Sequence, residues 1–167
     1  MASLILTVIG PDRPGLVRAL SEAVAARGGS WLESRMARLA GQFAGIVMVE
    51  APDSLLDDLH ALESEGLVIT ARSSVTSPAA TGERMTLEVV GNDRPGIVRD
   101  IAQILADNGV NIEELTTGTA SGSFSGETLF RVTAFLRAPG PEALDAVRTG
   151  LEALGNEMMV DMRQTEA

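Results

Sequence analysis

The sequence predicts an α+β protein built from two tandem βαββαβ units. A phrase occurs twice, as GPDRPGLV from Gly10 to Val17 and as GNDRPGIV from Gly91 to Val98, 81 positions later. Each copy of this phrase, the repeat motif, follows a short apolar run and precedes an amphipathic helical pattern. A length of 167 residues accommodates two units of this size. Repetition at a fixed spacing therefore divides the chain into two units of one design.

The first unit shows six elements in order. Apolar runs and period-two alternation indicate strands, leucines at helical spacing indicate helices, and Gly28, Gly29 and Gly66 end the helices. The predicted elements are strand 4–9, helix 16–27, strand 30–39, strand 43–50, helix 54–64 and strand 67–71. With right-handed crossovers, this order gives a ferredoxin-like unit, a four-stranded antiparallel sheet with two helices on one face.

The second unit repeats the same order. Its predicted elements are strand 84–90, helix 95–108, strand 110–119, strand 127–137, helix 141–154 and strand 157–163. Between the units, a stretch rich in Ser, Thr and Ala is typical of a linker. We therefore predict a first domain over 1–73, a linker over 74–83 and a second domain over 84–167.

Composition excludes several classes of function. A net charge of −10 argues against direct binding of nucleic acid, which requires Lys and Arg to neutralise phosphates. The absence of cysteine excludes disulfides, thiolate catalysis and cysteine zinc sites, and one histidine, His60, leaves no catalytic triad. The N-terminal apolar run lacks a basic segment before it and is too short to cross a membrane. We expect a cytoplasmic protein that is not an enzyme and holds neither metal nor cofactor.

The repeat motif lies where a strand turns into a helix. Asp12 and Asp93 stand just before the helical pattern, where a carboxylate can accept hydrogen bonds from unpaired backbone N–H groups. The prolines two residues later suit the first helical turn. Gly15 and Gly96 carry no side chain, so a small ligand could lie against the backbone at the positive end of the helix. A capped turn that merely begins a helix explains the same residues.

The motif Asp-Arg-Pro-Gly-(Leu/Ile)-Val between a strand and a helix resembles that of the ACT domain, a family that binds amino acids. The segment Asn-Gly-Val-Asn-Ile-Glu over 108–113 resembles the same family's helix end and second-strand start, and residues 27–32 occupy that place in the first unit. The resemblance covers nearly the whole chain. It implies the βαββαβ fold in each unit and a small amino acid as ligand, with glycine or serine as the expected candidates.

The resemblance also implies which residues contact the ligand. One group belongs to the repeat motifs: Asp12, Arg13 and Gly15 in the first unit, and Asn92, Asp93, Arg94 and Gly96 in the second. The other begins the second strand of each unit: Ser30 in the first, and Asn111 and Ile112 in the second. Trp31 stands where the second unit has Ile112, and we expect it to pack in a core or an interface. The second unit therefore keeps the family pattern better.

Two ACT units in tandem resemble small transcriptional regulators that act through a DNA-binding partner protein. This implies an amino-acid sensor whose protein partner is a transcription factor. Two alternatives stay open, a regulatory subunit of a metabolic enzyme and a dimerisation scaffold with vestigial sites. A small sheet with helices on one face leaves its other face uncovered, so we also expect a homo-oligomer.

Overall fold

The computed structural model describes residues 1–74, 80–122, 126–155 and 158–165. The chain divides into two compact units, Met1–Ser77 and Pro78–Ala167. Half of the predicted linker, residues 75–79, lies outside the described residues, so its bounds and those of the two domains stay predictions.

The first unit has the predicted βαββαβ order. Its elements are β1 (Ala2–Pro11), α1 (Leu16–Ala26), β2 (Ser30–Leu39), β3 (Gln42–Ala51), α2 (Leu55–Glu63) and β4 (Val68–Ser73). The strands form one antiparallel sheet in the order β2-β3-β1-β4. Leu6 and Val8 of β1 pack with Leu20 of α1 and Leu55 of α2 in one buried cluster. Both helices therefore cover the same face of the sheet.

The second unit repeats this architecture. Its elements are β5 (Glu83–Asn92), α3 (Ile97–Asp107), β6 (Asn111–Ser121), β7 (Thr128–Ala138), α4 (Pro141–Glu152) and β8 (Met159–Gln164). The antiparallel sheet has the order β6-β7-β5-β8, and Leu87, Ile101, Leu136 and Leu151 belong to its core. The predicted α+β class and the two ferredoxin-like units are confirmed. Residue 157, predicted to begin the last strand, lies outside the described residues.

Each sheet has an inner face under the helices and an outer face without them. Alternate residues of a strand point to opposite faces, so burial separates the two sets. In β1, Leu4, Leu6 and Val8 are buried, whereas Thr7 and Ile9 are exposed on the outer face. The predicted strand 4–9 is shorter than β1, because backbone pairing with β3 extends over all ten residues from Ala2 to Pro11.

The second strand of each unit carries an irregularity at the same place. The register with the neighbouring strand shifts between Trp31 and Glu33 in β2, and between Ile112 and Glu114 in β6. Such a shift leaves one extra residue in the strand. The two units thus share a bulge that the sequence pattern did not reveal.

Candidate functional site

The repeat motifs form the two strand-to-helix turns. Gly15 and Gly96 are the N-cap residues of α1 and α3, with φ of 91° and 83°. This left-handed conformation is readily adopted by glycine alone. Neither helix has a side-chain capping bond, so the prediction that Asp12 and Asp93 cap the helices is wrong. The motif prolines precede the N-cap, so their predicted place in the first helical turn is also wrong, because each helix begins after the glycine.

In the first unit, the charged motif residues are held by partners elsewhere in the unit. The carboxylate of Asp12 accepts a hydrogen bond of 2.5 Å from Nε of Arg38 on β2. Arg13 donates to the carboxylate of Glu65 at 2.7 Å. A β-carbon built on Gly15 would have no atom within 4 Å beyond its chain neighbours, so the space over this turn is open. Asp12 therefore ties the turn to β2, Arg13 ties it to the segment between α2 and β4, and no side chain covers Gly15.

In the second unit, two guanidinium groups converge at the motif turn. Nη1 of Arg94 donates to Oδ2 of Asp100 at 2.8 Å, and Nη2 of Arg99 donates to Oδ1 at 2.9 Å. A β-carbon built on Gly96 would lie 3.1 Å from Nη2 of Arg99. We call Arg94, Arg99 and Asp100 the arginine cluster. It places two positive side chains around a turn whose glycine exposes the backbone.

The arginine cluster also perturbs its carboxylate. Hydrogen bonds from Arg94, and then from Arg99, hold the pKa of Asp100 below its ordinary value, against the opposing effect of burial. Asp100 therefore stays ionised and keeps both guanidinium groups in place at neutral pH. Because each guanidinium carries five N–H donors and Asp100 engages only some of them, both arginines retain N–H groups for a further anion.

The equivalent positions of the first unit, all among the described residues, do not form such a cluster. Arg18 and Ala19 stand 81 positions before Arg99 and Asp100. Nε of Arg18 donates instead to Glu22, four residues further along α1, at 2.7 Å. Because Ala19 has no carboxylate, Arg18 pairs with Glu22 on the next helical turn and not with a side chain beside the motif.

The remaining motif residues of the second unit end strand β5. Asn92 is paired with Leu129 in the β5–β7 ladder, and the backbone N–H of Asp93 donates to the carbonyl oxygen of Thr128 at 2.8 Å. These bonds fix the backbone just before Arg94. The side chains of Asn92 and Asp93 are exposed beside the turn. Four predicted residues, Asn92, Asp93, Arg94 and Gly96, thus share one surface.

The second-strand residues lie at the opposite end of the unit. Asn111 is paired with Arg137, which is paired with Arg84, eight residues before Asn92 on β5. At 3.3 Å per residue, this separation is about 26 Å along the sheet. Ser30 is displaced from Asp12 in the same way. Within one unit, therefore, the two predicted groups cannot contact the same small molecule.

At that far end, Asn111 lines an open groove together with Gly82, Gly109 and Arg137. Nε of Arg137 donates to Glu113 at 2.6 Å and Nη1 to the carbonyl oxygen of Gly82 at 3.2 Å. Glu113 also accepts a bond from Arg84, and these partners, Arg137 foremost, lower its pKa. The sequence prediction missed this ion cluster, which only the strand register brings together.

The side chains of Ile112 and Trp31 pack against the cores of their own units. Ile112 packs against the core of the second unit and lines a small apolar cavity beside Val98 and Ile101 of α3. Trp31 packs against the core of the first unit, as predicted, and its indole N–H donates to Ser34 at 3.4 Å.

Other candidate sites are not supported by the described residues. Within ranges 1–74, 80–122, 126–155 and 158–165, no three His, Cys, Asp or Glu side chains come together as a metal site. His60 lies exposed on α2. None of the described helices combines the length and apolar character needed to cross a membrane.

Comparison with known families identifies both halves of the chain. Two models of the ACT domain match, one over residues 2–68 and the other over residues 85–149. The glycine cleavage system transcriptional repressor of Escherichia coli is 23% identical over 174 residues, which cover 96% of this chain and 92% of that protein. The repressor of the same name from Shigella flexneri matches to the same extent.

Solved structures share the whole architecture. A crystal structure of an unknown protein from Galdieria sulphuraria superposes with a TM-score of 0.85 at 31% identity, covering 99% of each chain. A crystal structure of a candidate glycine cleavage system transcriptional repressor gives a TM-score of 0.69 at 17% identity, covering 98% of each chain. These similarities extend across both units.

Proposed function

Because this chain belongs to the ACT-domain family, with one domain in each half, we propose that it is a non-catalytic regulatory protein that senses a small amino acid. The observation that carries the proposal is the arginine cluster beside Gly96. The Escherichia coli relative is named as a transcriptional repressor of the glycine cleavage system, which makes glycine the first candidate ligand. Serine, another amino acid with a small side chain, is the second. The regulatory output is proposed to pass through a partner transcription factor, since a net charge of −10 opposes direct DNA binding.

The second motif turn offers complementary partners for a zwitterion. The guanidinium groups of Arg94 and Arg99 suit a carboxylate, and charge-assisted hydrogen bonds of this kind are stronger than neutral ones. The exposed carboxylate of Asp93 and the side chain of Asn92 suit the ammonium group. The glycine at position 96 lets a small ligand approach the backbone at the positive end of α3. A ligand with little or no side chain fits this arrangement best.

The other predicted residues have different places in the proposal. Asn111 and Ile112 lie too far from the second motif to share its ligand within the unit, so they take part only if another unit supplies them. Asp12 and Arg13 are held by Arg38 and Glu65, which favours a structural role for the first motif and for its Gly15. Ser30 is likewise distant from that motif. We therefore assign the primary site to the second unit.

The assembly and cell compartment are part of the same proposal. We place the protein in the cytoplasm, in line with its lack of cysteine, and as a homo-oligomer. A ligand that binds the partner-binding form of the protein more tightly than the other form would raise the population of the partner-binding form. The ratio of the two affinities sets the size of that shift.

A thermal-shift screen of the purified chain against the twenty amino acids tests the sensing function. A ligand present at about one hundred times its Kd stabilises the folded state by about 2.7 kcal/mol, which is a readily measured shift. We expect one small amino acid, glycine first, to raise the unfolding temperature and to show saturable heat in calorimetry. Failure of all twenty at millimolar concentration would contradict amino-acid sensing.

A further inference from the structure

The outer face of the first unit's sheet has an apolar centre. Ile5 of β1 lies opposite Met48 of β3 in the ladder, and Ile46 lies opposite Thr7, so these side chains share the face away from the helices. Ile46 is 50% exposed, and Ile9 and Val68 on the same face are exposed to a similar extent. Neighbouring apolar side chains on a face without helices are typical of a contact surface rather than of a solvated sheet.

Opposite charges lie at the two ends of one row across this face. The ladder aligns Glu33, Met48, Ile5 and Arg72, in that order, on strands β2, β3, β1 and β4. At about 4.8 Å between strands, Glu33 and Arg72 are about 14 Å apart, too far to pair with each other. Within the described ranges, Arg72 has neither a hydrogen bond nor an ion pair, and Glu33 pairs with Arg35 at 2.9 Å on its own strand.

We propose that this outer face packs against the same face of a second copy of the chain. A two-fold axis parallel to the strands places β2 of one copy over β4 of the other, and β3 over β1. Glu33 then faces Arg72 of the second copy, and Arg72 faces its Glu33, while Met48 and Ile5 meet in the centre. Such an interface is isologous, and sheets commonly pack in this aligned way about 10 Å apart.

The outer face of the second unit is a less suitable partner for the first unit's outer face than a second copy of that face. Its corresponding row is Glu114, Phe135, Thr86 and Arg163, but Arg163 is already held by Glu88 at 2.6 Å. Glu88 itself lies at the centre of that face, so covering the face would remove a charge from water. The first unit's face buries apolar centre residues and leaves its charges at the rim. Self-association of the first unit's face is therefore favoured.

Sedimentation velocity over a range of protein concentrations tests this interface, which gives a surface to the proposed homo-oligomer. We expect the wild-type chain to form a dimer and Ile46→Glu to form a monomer. The control Thr133→Lys places a charge at the matching position of the second unit, opposite Glu88, and should leave the dimer intact. Circular dichroism checks that both variants fold. The new glutamate at position 46 lies opposite Arg35 in the ladder, and the new lysine at position 133 lies opposite Glu88.

The two possible failures have different meanings. A wild-type monomer at high concentration would overturn both the face and the homo-oligomer. A wild-type dimer that survives Ile46→Glu would overturn only the face, since another surface must then hold the copies together. Neither result bears on amino-acid binding, which the thermal-shift screen measures separately.

A charge exchange tests the proposed pairing itself. Glu33→Arg and Arg72→Glu should each weaken the dimer at least tenfold, and the double variant should recover most of the loss. Because the two positions are about 14 Å apart within one copy, recovery requires contact between copies. Absence of recovery in a folded double variant would overturn the two-fold arrangement.

Discussion

The two motif turns have the same backbone and different surroundings. Both begin their helix at a glycine with positive φ, and both follow a strand at the centre of the sheet. Around Gly15 the space is open and Arg13 is held by Glu65, whereas around Gly96 two arginines share the carboxylate of Asp100. The two turns thus share the backbone geometry needed for folding, whereas the second turn alone of the two brings a pair of arginines together beside its motif glycine. The repeated motif indicates the fold, and the arginine cluster indicates the site.

The largest effect should be equal in the two units. Leu6 and Leu87 are 81 positions apart and fully buried in their respective cores. Replacing either by alanine removes buried methyl groups and leaves a cavity, at a cost of about 2–5 kcal/mol. Urea unfolding followed by circular dichroism should show similar losses for Leu6→Ala and Leu87→Ala. A much smaller loss for one of them would show that the two cores are not equivalent.

A smaller effect should separate stability from binding. Gly15→Ala and Gly96→Ala each place a β-carbon at positive φ, which costs about 1–2 kcal/mol of folding free energy. The added carbon on Gly96 also meets Arg99 at 3.1 Å, whereas the one on Gly15 meets no atom within 4 Å. Both variants should lose similar stability in urea, but only Gly96→Ala should weaken amino-acid binding in calorimetry. Equal binding losses would place the ligand at both turns.

The titration of Asp100 tests whether the second motif turn differs from the first through its arginine cluster. A carboxyl whose pKa is lowered in the folded state stabilises that state above its unfolded pKa, and the contribution disappears as the pH falls through the folded value. Asp100 should therefore titrate below the ordinary aspartate value of about 3.9. Carboxyl-carbon NMR should show its midpoint rise in Arg94→Gln and in Arg99→Gln. An unchanged midpoint would contradict the hydrogen bonds assigned to these arginines.

The smallest effect concerns the first motif's ion pair. Arg13 and Glu65 are each nearly half exposed, and exposed pairs contribute about 0–1 kcal/mol. Arg13→Gln should therefore change the free energy of unfolding little and leave amino-acid binding unchanged. A loss of binding in Arg13→Gln, measured by calorimetry with Arg18→Gln as its control, would assign a ligand to the first unit.

The sequence predicted the fold well because its signals are local and periodic. Alternation over residues 30–39 gave the full extent of β2, and the repeat fixed the order of all twelve elements. The predicted start of α1 at residue 16 is confirmed, whereas α3 begins at Ile97, two residues after its predicted start, because Asp, Pro and Gly are all compatible with a helix start. Only the backbone conformation of Gly15 and Gly96 decides between these starts.

The site was harder to predict because it depends on contacts that the motif does not contain. Arg99 and Asp100 lie in the turn of α3 that follows the motif, so the motif alone did not identify them. The sequence does show an aspartate, Asp100, six positions after Arg94. That spacing brings the two side chains into contact only when the helix begins at Ile97, between them. The distance between Asn111 and the motif follows from the strand register. The motif residues on which the family resemblance rests do not specify that register.

Calorimetric titration of Arg99→Gln and Arg18→Gln against the wild-type chain tests the central claim most directly. These arginines hold the same position in the two units, but only Arg99 lies over a motif glycine. The amino acid that binds the wild-type chain should bind Arg99→Gln at least tenfold more weakly and Arg18→Gln with unchanged affinity. Equal affinity for Arg99→Gln and the wild type, with both variants folded, would contradict the assignment of the ligand to the second unit.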